Sequence, residues 1–330
     1  MVSARTLTVA LAMVAAIAVI AVWAMTLGDY PISPAGVVRA VFGTGDDPLA
    51  GFFVQRMRAP RVVLAVLVGA ALGISGCIFQ SLTANPLGSP DITGFTTGAA
   101  TGAILQIIVF DGGPVAVAAG AALGGFVTGA LVLWLSGGAK ASGIRFVLIG
   151  LGVSFIAQGI NSLLVVRASL SSAQAAAVWL AGSFNATTWP QTAVIGAALV
   201  VLIPIGLACS RPLSVMTTGE DLATGLGVAV AKYRLALIAV GVLLVAVAVA
   251  ATGPIGFVAL AAPQLAKRVA RPSGSGMLVA GLMGALLVLA SDVIAQRIVA
   301  PTQLPVGVVT GVLGGAYLIW LLAREWRKNR

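Results

Sequence analysis

Long apolar runs dominate the chain, broken at nearly regular intervals by short polar or Gly/Pro-rich stretches. They cover 7–27, 61–82, 92–110, 114–135, 146–166, 191–209, 233–252, 255–270, 277–297 and 304–323. A helix needs about 20 apolar residues to cross the hydrocarbon of a bilayer. The pattern therefore predicts about ten transmembrane helices, an all-α polytopic membrane protein with almost nothing left for a soluble domain. The first run follows Arg5 as a signal peptide would, but it is longer than the usual apolar core of such a peptide. It reads as a retained first span.

Composition agrees, with 59% hydrophobic and 8% charged residues against about 25% charged in soluble domains. With ten spans both termini share one side, and a cytoplasmic N-terminus places thirteen of the nineteen Lys and Arg residues inside. These are Arg5, Lys140, Arg145, Arg211, Lys232, Arg234, Lys267, Arg268, Arg271, Arg324, Arg327, Lys328 and Arg330, the bias that orients membrane proteins. The formal charge of +10 is then a topology signal plus attraction to anionic lipid. No basic domain protrudes, which excludes nucleic acid as a partner.

The runs divide into a leading helix, a group of four (61–166), a separator (191–209) and a second group of four (233–323). One group starts outside and the other inside, the geometry of an inverted-topology repeat around a central pathway. Glycines four apart (Gly69/Gly73, Gly98/Gly102, Gly120/Gly124, Gly125/Gly129, Gly307/Gly311/Gly315) allow close helix packing. Asn85-Pro-Leu-Gly-Ser-Pro90 forces a stiff turn between two spans, and Gly253-Pro254 with Pro263 interrupts the eighth.

Much chemistry is missing. There is no phosphate-cradling Gly-x-x-x-x-Gly-Lys-Ser/Thr loop, and Leu135-Ser-Gly-Gly138 looks like the ATPase signature by coincidence, having no ATPase domain around it. The chain has no histidine, and Cys77 and Cys209 have no metal-type partners, so neither a cofactor nor a metal site is expected. Asp292 is the one carboxylate well inside a run, which argues against a proton- or sodium-coupled carrier. A hydrolase nucleophile with its base cannot be assembled.

Several motifs together are more specific. Arg58-Ala-Pro-Arg61, Val68-Gly-Ala-Ala-Leu-Gly-Ile-Ser-Gly76, Asn85-Pro-Leu-Gly88, Gly219-Glu-Asp-Leu-Ala-Thr-Gly-Leu-Gly227, Gly253-Pro-Ile-Gly-Phe257 and Gln303-Leu-Pro-Val-Gly-Val-Val-Thr310 resemble, in order and spacing, the permeases of ABC importers for iron-siderophores, haem and vitamin B12. Phe79-Gln-Ser-Leu82 and Gly314-Gly-Ala-Tyr-Leu-Ile319 bring the resemblance nearest to ferric-enterobactin-type permeases. It covers nearly the whole chain and implies one permease domain over 1–330 in a bacterial inner membrane. It also implies a second permease subunit (a paralogue or an identical copy), two cytoplasmic ATPases, an external binding protein and a ferric siderophore as cargo. A haem or B12 importer of the same fold is the alternative, with a secondary transporter a distant one.

The resemblance also implies roles for residues. Arg58 and Arg61, with Arg297 as a further cation, would dock glutamates of the binding protein. Asn85 and Leu87, with Ser142, Gly143 and Ile144, would close the cytoplasmic end. Ser154, Gln158, Asn161 and Ser162 would line the pathway, or equally bond neighbouring helices. The segment 213–234 would be cytoplasmic, with a short helix capped by Thr218 or Gly219. There Gly219, Glu220, Asp221, Ala223, Gly225, Leu226 and Gly227 would meet the ATPase. The chain departs from many relatives at Gln264, where they carry histidine, and at Gln296, where they carry arginine.

Overall fold

A computed structural model describes residues 4–45, 47–138, 143–272, 274–300 and 302–328. Among them the regular structure is helical: α1 Ala4–Thr26, α2 Pro34–Val41, α3 Pro48–Phe52, α4 Ala59–Leu82, α5 Phe95–Ile104, α6 Pro114–Ser136, α7 Gly143–Arg167, α8 Leu170–Leu180, α9 Trp189–Ala208, α10 Ser210–Met216, α11 Glu220–Gly225, α12 Val230–Thr252, α13 Val258–Ala270, α14 Met277–Arg297 and α15 Val306–Lys328. A π-helical stretch, Phe53–Arg58, joins α3 to α4 without a break, and another, Leu105–Val109, extends α5. Pro34, Pro48, Pro60, Pro114 and Pro190 each sit in a first turn, where the missing N–H has no helical partner to lose.

Among the described residues all ten apolar runs fall on helices, and seven helices are long and apolar enough to cross a membrane. Of the other three, α5 and α13 are shorter, for local reasons. α5 begins only after the 83–94 turn. α13 has 13 residues, because Gly253 and Phe257 adopt positive φ angles of 73° and 67° that no helix continues through. α2 and α8 are additional short helices that the hydropathy pattern does not announce.

α4 is the most buried of these spans. Its Ser75 hydroxyl donates to the Gly241 carbonyl of α12 at 2.8 Å, and its Phe79 ring lies 5.2 Å from Phe95 and 6.1 Å from Phe146. The helix contacts form a paired scheme. α5 packs on α6 as α13 packs on α14, and α7 touches α5 and α6 as α15 touches α13 and α14. Yet α4 packs along α13 and α14, while α12 packs along α5 and α6, with α9 against both α4 and α12. Exchanging the two groups of four maps these contacts onto themselves, each group's first helix being lodged in the other. An inverted repeat with exchanged first helices produces this pattern. Outward faces of α6, α7 and α9 expose Phe126, Phe155, Ile156 and Val200, far more apolar surface than a protein in water carries.

Candidate functional site

At the end of the bundle where α4 begins, a cavity of about 550 Å³ opens between the α1–α2 connection, the start of α4 and residues 184–188. The Arg58 guanidinium donates to the Met25 and Tyr30 carbonyls, both at 2.7 Å, and stands 5.7 Å from the centre of the Phe53 ring. A side chain at position 28 would put its Cβ 2.6 Å from Arg58 Nη2, so Gly28 leaves the guanidinium its room. These acceptors are uncharged, and Asp29 on the same rim is the carboxylate that acts on the Arg58 charge. Arg56 and Arg297 are exposed on the same rim.

Arg61 differs from the expectation of a free cation. Its Nε and Nη2 donate to the two oxygens of Asp292 at 2.9 and 2.8 Å, and Nη1 donates to Asn185 Oδ1 and Gln303 Oε1 at 3.1 and 2.8 Å. Gln296 donates to the same carboxylate at 2.8 Å. The Asp292 side chain is 1% exposed and that of Arg61 14%. The charge is neutralised inside the protein, where the pair ties α4 to α14 and to two loops. Arg61 anchors the rim and presents little charge to a partner.

At the opposite end a second cavity, about 540 Å³, lies between the end of α4, the 84–86 turn, α13 and the segment before α12. Asn85 Oδ1 accepts from Leu87 N at 2.9 Å and Asn85 O from Gly88 N at 2.9 Å, closing a tight turn that leaves Leu87 49% exposed. Gln264 Nε2 donates to Gln80 Oε1 and to the Pro86 carbonyl at 2.9 and 3.2 Å, and Gln80 Nε2 donates to Leu260 O at 2.9 Å. A neutral amide thus ties the turn to α13. The start of α7 abuts this turn: a Cβ on Gly143 would come 2.8 Å from Thr83 Cα, and Ile144 beside it is exposed. Ser142 lies outside the described residues. The structure thus gathers Asn85, Leu87, Gly143 and Ile144 at one end.

The polar set on α7 divides. Ser154 is buried and its hydroxyl lies 3.0 Å from Thr97 Oγ1 of α5, with Gln158 Nε2 donating to it at 3.3 Å. Of the two roles expected for it, these contacts are those of helix–helix bonding. Gln158 and Ser162 are exposed and Asn161 half-buried.

In the segment before α12, α11 begins at Glu220 with Gly219, at φ 124°, as its N-cap. Thr218 does not cap it, since its hydroxyl donates back to Val215 O. Glu220 pairs with Arg234 of α12, fixing α11 to the bundle. Glu220, Asp221, Gly225 and Gly227 are exposed, and so are Leu222 (60%) and Leu226 (68%), one turn apart on one face. Ala223 is fully buried, packed inward, and cannot touch a partner.

The sequence model of the FecCD transport family matches residues 14–324. The chain belongs to the FecCD transport family. Among FecCD relatives it is 41% identical over 328 residues to the ferric enterobactin transport system permease protein FepG of Escherichia coli (strain K12), covering 99% of each chain. It is 35% identical over 320 residues to the achromobactin transport system permease protein CbrC of Dickeya dadantii (strain 3937), covering 96% of this chain and 91% of that one. Its fold superposes with a TM-score of 0.86 on a metal-chelate type ABC transporter solved in an inward-facing conformation, 27% identical, covering 96% of this chain and 99% of that one.

Sequence reasoning missed three residues of this FecCD protein's two ends. Asn185 gave no signal beyond lying in a polar stretch between α8 and α9. Gln303 stood in a recognisable motif without a role, and Gln264 was marked only as a departure from relatives.

Proposed function

We propose that the chain is the transmembrane permease subunit of an ATP-binding-cassette importer that moves a ferric siderophore from an external binding protein into the cytoplasm. The observation that carries this is the end-to-end identity with the ferric enterobactin permease. A large, polar chelate needs a protein-lined path, since even one charge at mid-bilayer costs about 2.5–3.5 kcal/mol on insertion scales. In this reading two permease subunits, identical or paralogous, enclose the path, with two ATPases on the cytoplasmic side. Both termini lie in the cytoplasm. Support for that comes from Arg5, which donates to the Val269 carbonyl at 2.9 Å and so places the start of α1 at the cation-rich end, with α11.

The two ends then divide the work. Arg58, with Arg56 and Arg297, offers positive charge to a binding protein, a feature that acts mainly on encounter rate and salt dependence. Asn85, Leu87, Gly143 and Ile144 close the inner end, and Gln158, Asn161 and Ser162 face the path. α11 meets the ATPase through Leu222, Leu226 and the exposed Gly219, Asp221, Gly225 and Gly227. Its ion pair to Arg234 passes movement of α11 directly into α12.

Proteoliposomes holding this permease with its ATPase, supplied with binding protein and iron-labelled ferric enterobactin, are expected to accumulate iron only with internal or external ATP on the ATPase side. Uptake without an ATPase would overturn the importer mechanism. ATP-driven uptake of haem or B12 with none of ferric siderophores would overturn the cargo.

The α11 surface makes a sharper expectation. Replacing Leu222 and Leu226 together with Glu should leave permease folding intact, because both are exposed, and weaken ATPase binding by about 30-fold or more, two contacts worth about 1 kcal/mol each or better. Ala223→Arg should instead unfold the segment, since its side chain has no space. Pull-down of the ATPase alongside gel filtration of the permease checks both, and full ATPase binding by the double-Glu variant would remove α11 from the interface.

A further inference from the structure

On the outside of the bundle, between α13 and α15 near the cation-rich end, the Arg268 guanidinium stands 5.2 Å from the centre of the Trp320 ring and 6.0 Å from that of Tyr317. The aromatic faces balance part of its charge but accept no directed hydrogen bond from it. Arg268 Nη1 is buried without a hydrogen-bond partner, and so is the Tyr317 hydroxyl. Among the described residues no carboxylate pairs with Arg268. Two polar groups on facing helices, both buried without a hydrogen-bond partner where leaving such a bond unmade is costly, point to a ligand that accepts hydrogen bonds from both.

The surroundings define the ligand further. From Tyr317 an apolar cleft of about 190 Å³ runs between α13, α14 and α15, lined by Phe257, Ala261, Leu265, Leu287 and Leu313. Lys267 and Arg271 add positive charge at the same end of α13. Trp320, half-exposed beside them, has the amphipathic ring favoured at headgroup level. Basic pockets between membrane helices on the cytoplasmic side suit acidic lipid headgroups.

We propose that this cleft binds an anionic phospholipid of the inner leaflet. A phosphate oxygen accepts from Arg268 Nη1, another accepts from the Tyr317 hydroxyl, and part of one acyl chain lies along the cleft. The site is separate from both end cavities, and its place in the inner leaflet rests on the cytoplasmic orientation proposed above.

The test uses the full permease in its complex, purified from membranes, washed with neutral detergent and titrated with phosphatidylglycerol. Wild-type protein is expected to retain phosphatidylglycerol through the wash. Arg268→Gln should lose it by about tenfold or more, and Tyr317→Phe, which removes one oxygen and keeps the ring, by a smaller factor. Arg56→Gln, at the other end, should retain it fully. Each variant is compared at matched gel-filtration profile and thermal midpoint, so that misfolding is seen directly. Equal retention by wild type and Arg268→Gln overturns the site. Equal retention of phosphatidylcholine overturns the anionic preference, and displacement of the lipid by millimolar inorganic phosphate alone overturns the role of the acyl cleft. If Arg268→Gln does not fold, Tyr317→Phe together with Ala261→Phe, which fills the cleft, decides the matter by the same readout.

Discussion

Replacing Asp292 with Ala is expected to destabilise the detergent-solubilised protein by about 3–5 kcal/mol, the cost of leaving one partner of a buried ion pair uncompensated. Arg61 would then face Asn185 and Gln303 alone, with its charge in a site where it is 14% exposed. Gln296 would lose its acceptor as well. Thermal or denaturant unfolding in detergent checks the size of the effect. An apolar pair, Arg61→Met with Asp292→Leu, should recover much of the loss, because burying two charges is itself costly. Wild-type stability in the Asp292→Ala variant would mean that the α4–α14 contact does not depend on this pair.

The largest effect is expected at Gly76. A Cβ there would lie 1.8 Å from the Ala259 carbonyl oxygen, at Gly73 2.2 Å from that of Ala280, and at Gly69 2.4 Å from that of Gly284. These obstacles are backbone atoms of α13 and α14 and cannot turn aside as a side chain would. Gly76→Ala therefore requires whole helices to separate, a change beyond the roughly 1–3 kcal/mol of ordinary overpacking. Folded yield, measured by gel filtration of tagged protein, should fall in the order of those clashes, worst for Gly76. Gly152→Ala, which meets nothing within 4 Å, should behave as wild type. Equal yields of the Gly76 and Gly152 variants would disprove the close approach.

Most of the span layout was legible because membrane helices announce themselves by length and apolarity, which need no partner to be read. The eighth helix was legible only in part. Its apolar run begins at Ile255, but the backbone turns through Gly253 and Phe257 before a helix can start. What the sequence hid was pairing across distance. Arg61 and Asp292 each stood out, one as a motif cation and the other as a lone carboxylate in a span, yet nothing local joins residues 231 positions apart. Orientation failed for a related reason at Ala223. A helix of six residues is too short for periodicity to show which face turns inward, so the neighbouring Leu222 and Leu226 were not distinguished from it by exposure. Ser154 and Gln158 share a helical face, and only the neighbouring Thr97 shows that Ser154 is taken up in packing.

The interlocked first helices bear on how such a molecule can open. If α4 belonged to its own half, the two halves could rock about a central hinge and admit cargo between them. With α4 clasped by α13 and α14, and α12 by α5 and α6, rotating one half would drag out a helix rooted in the other and tear buried packing on both sides. The subunit is therefore geared to move as one rigid body, and access to alternate sides has to arise where this body meets another copy or where its short end turns give way.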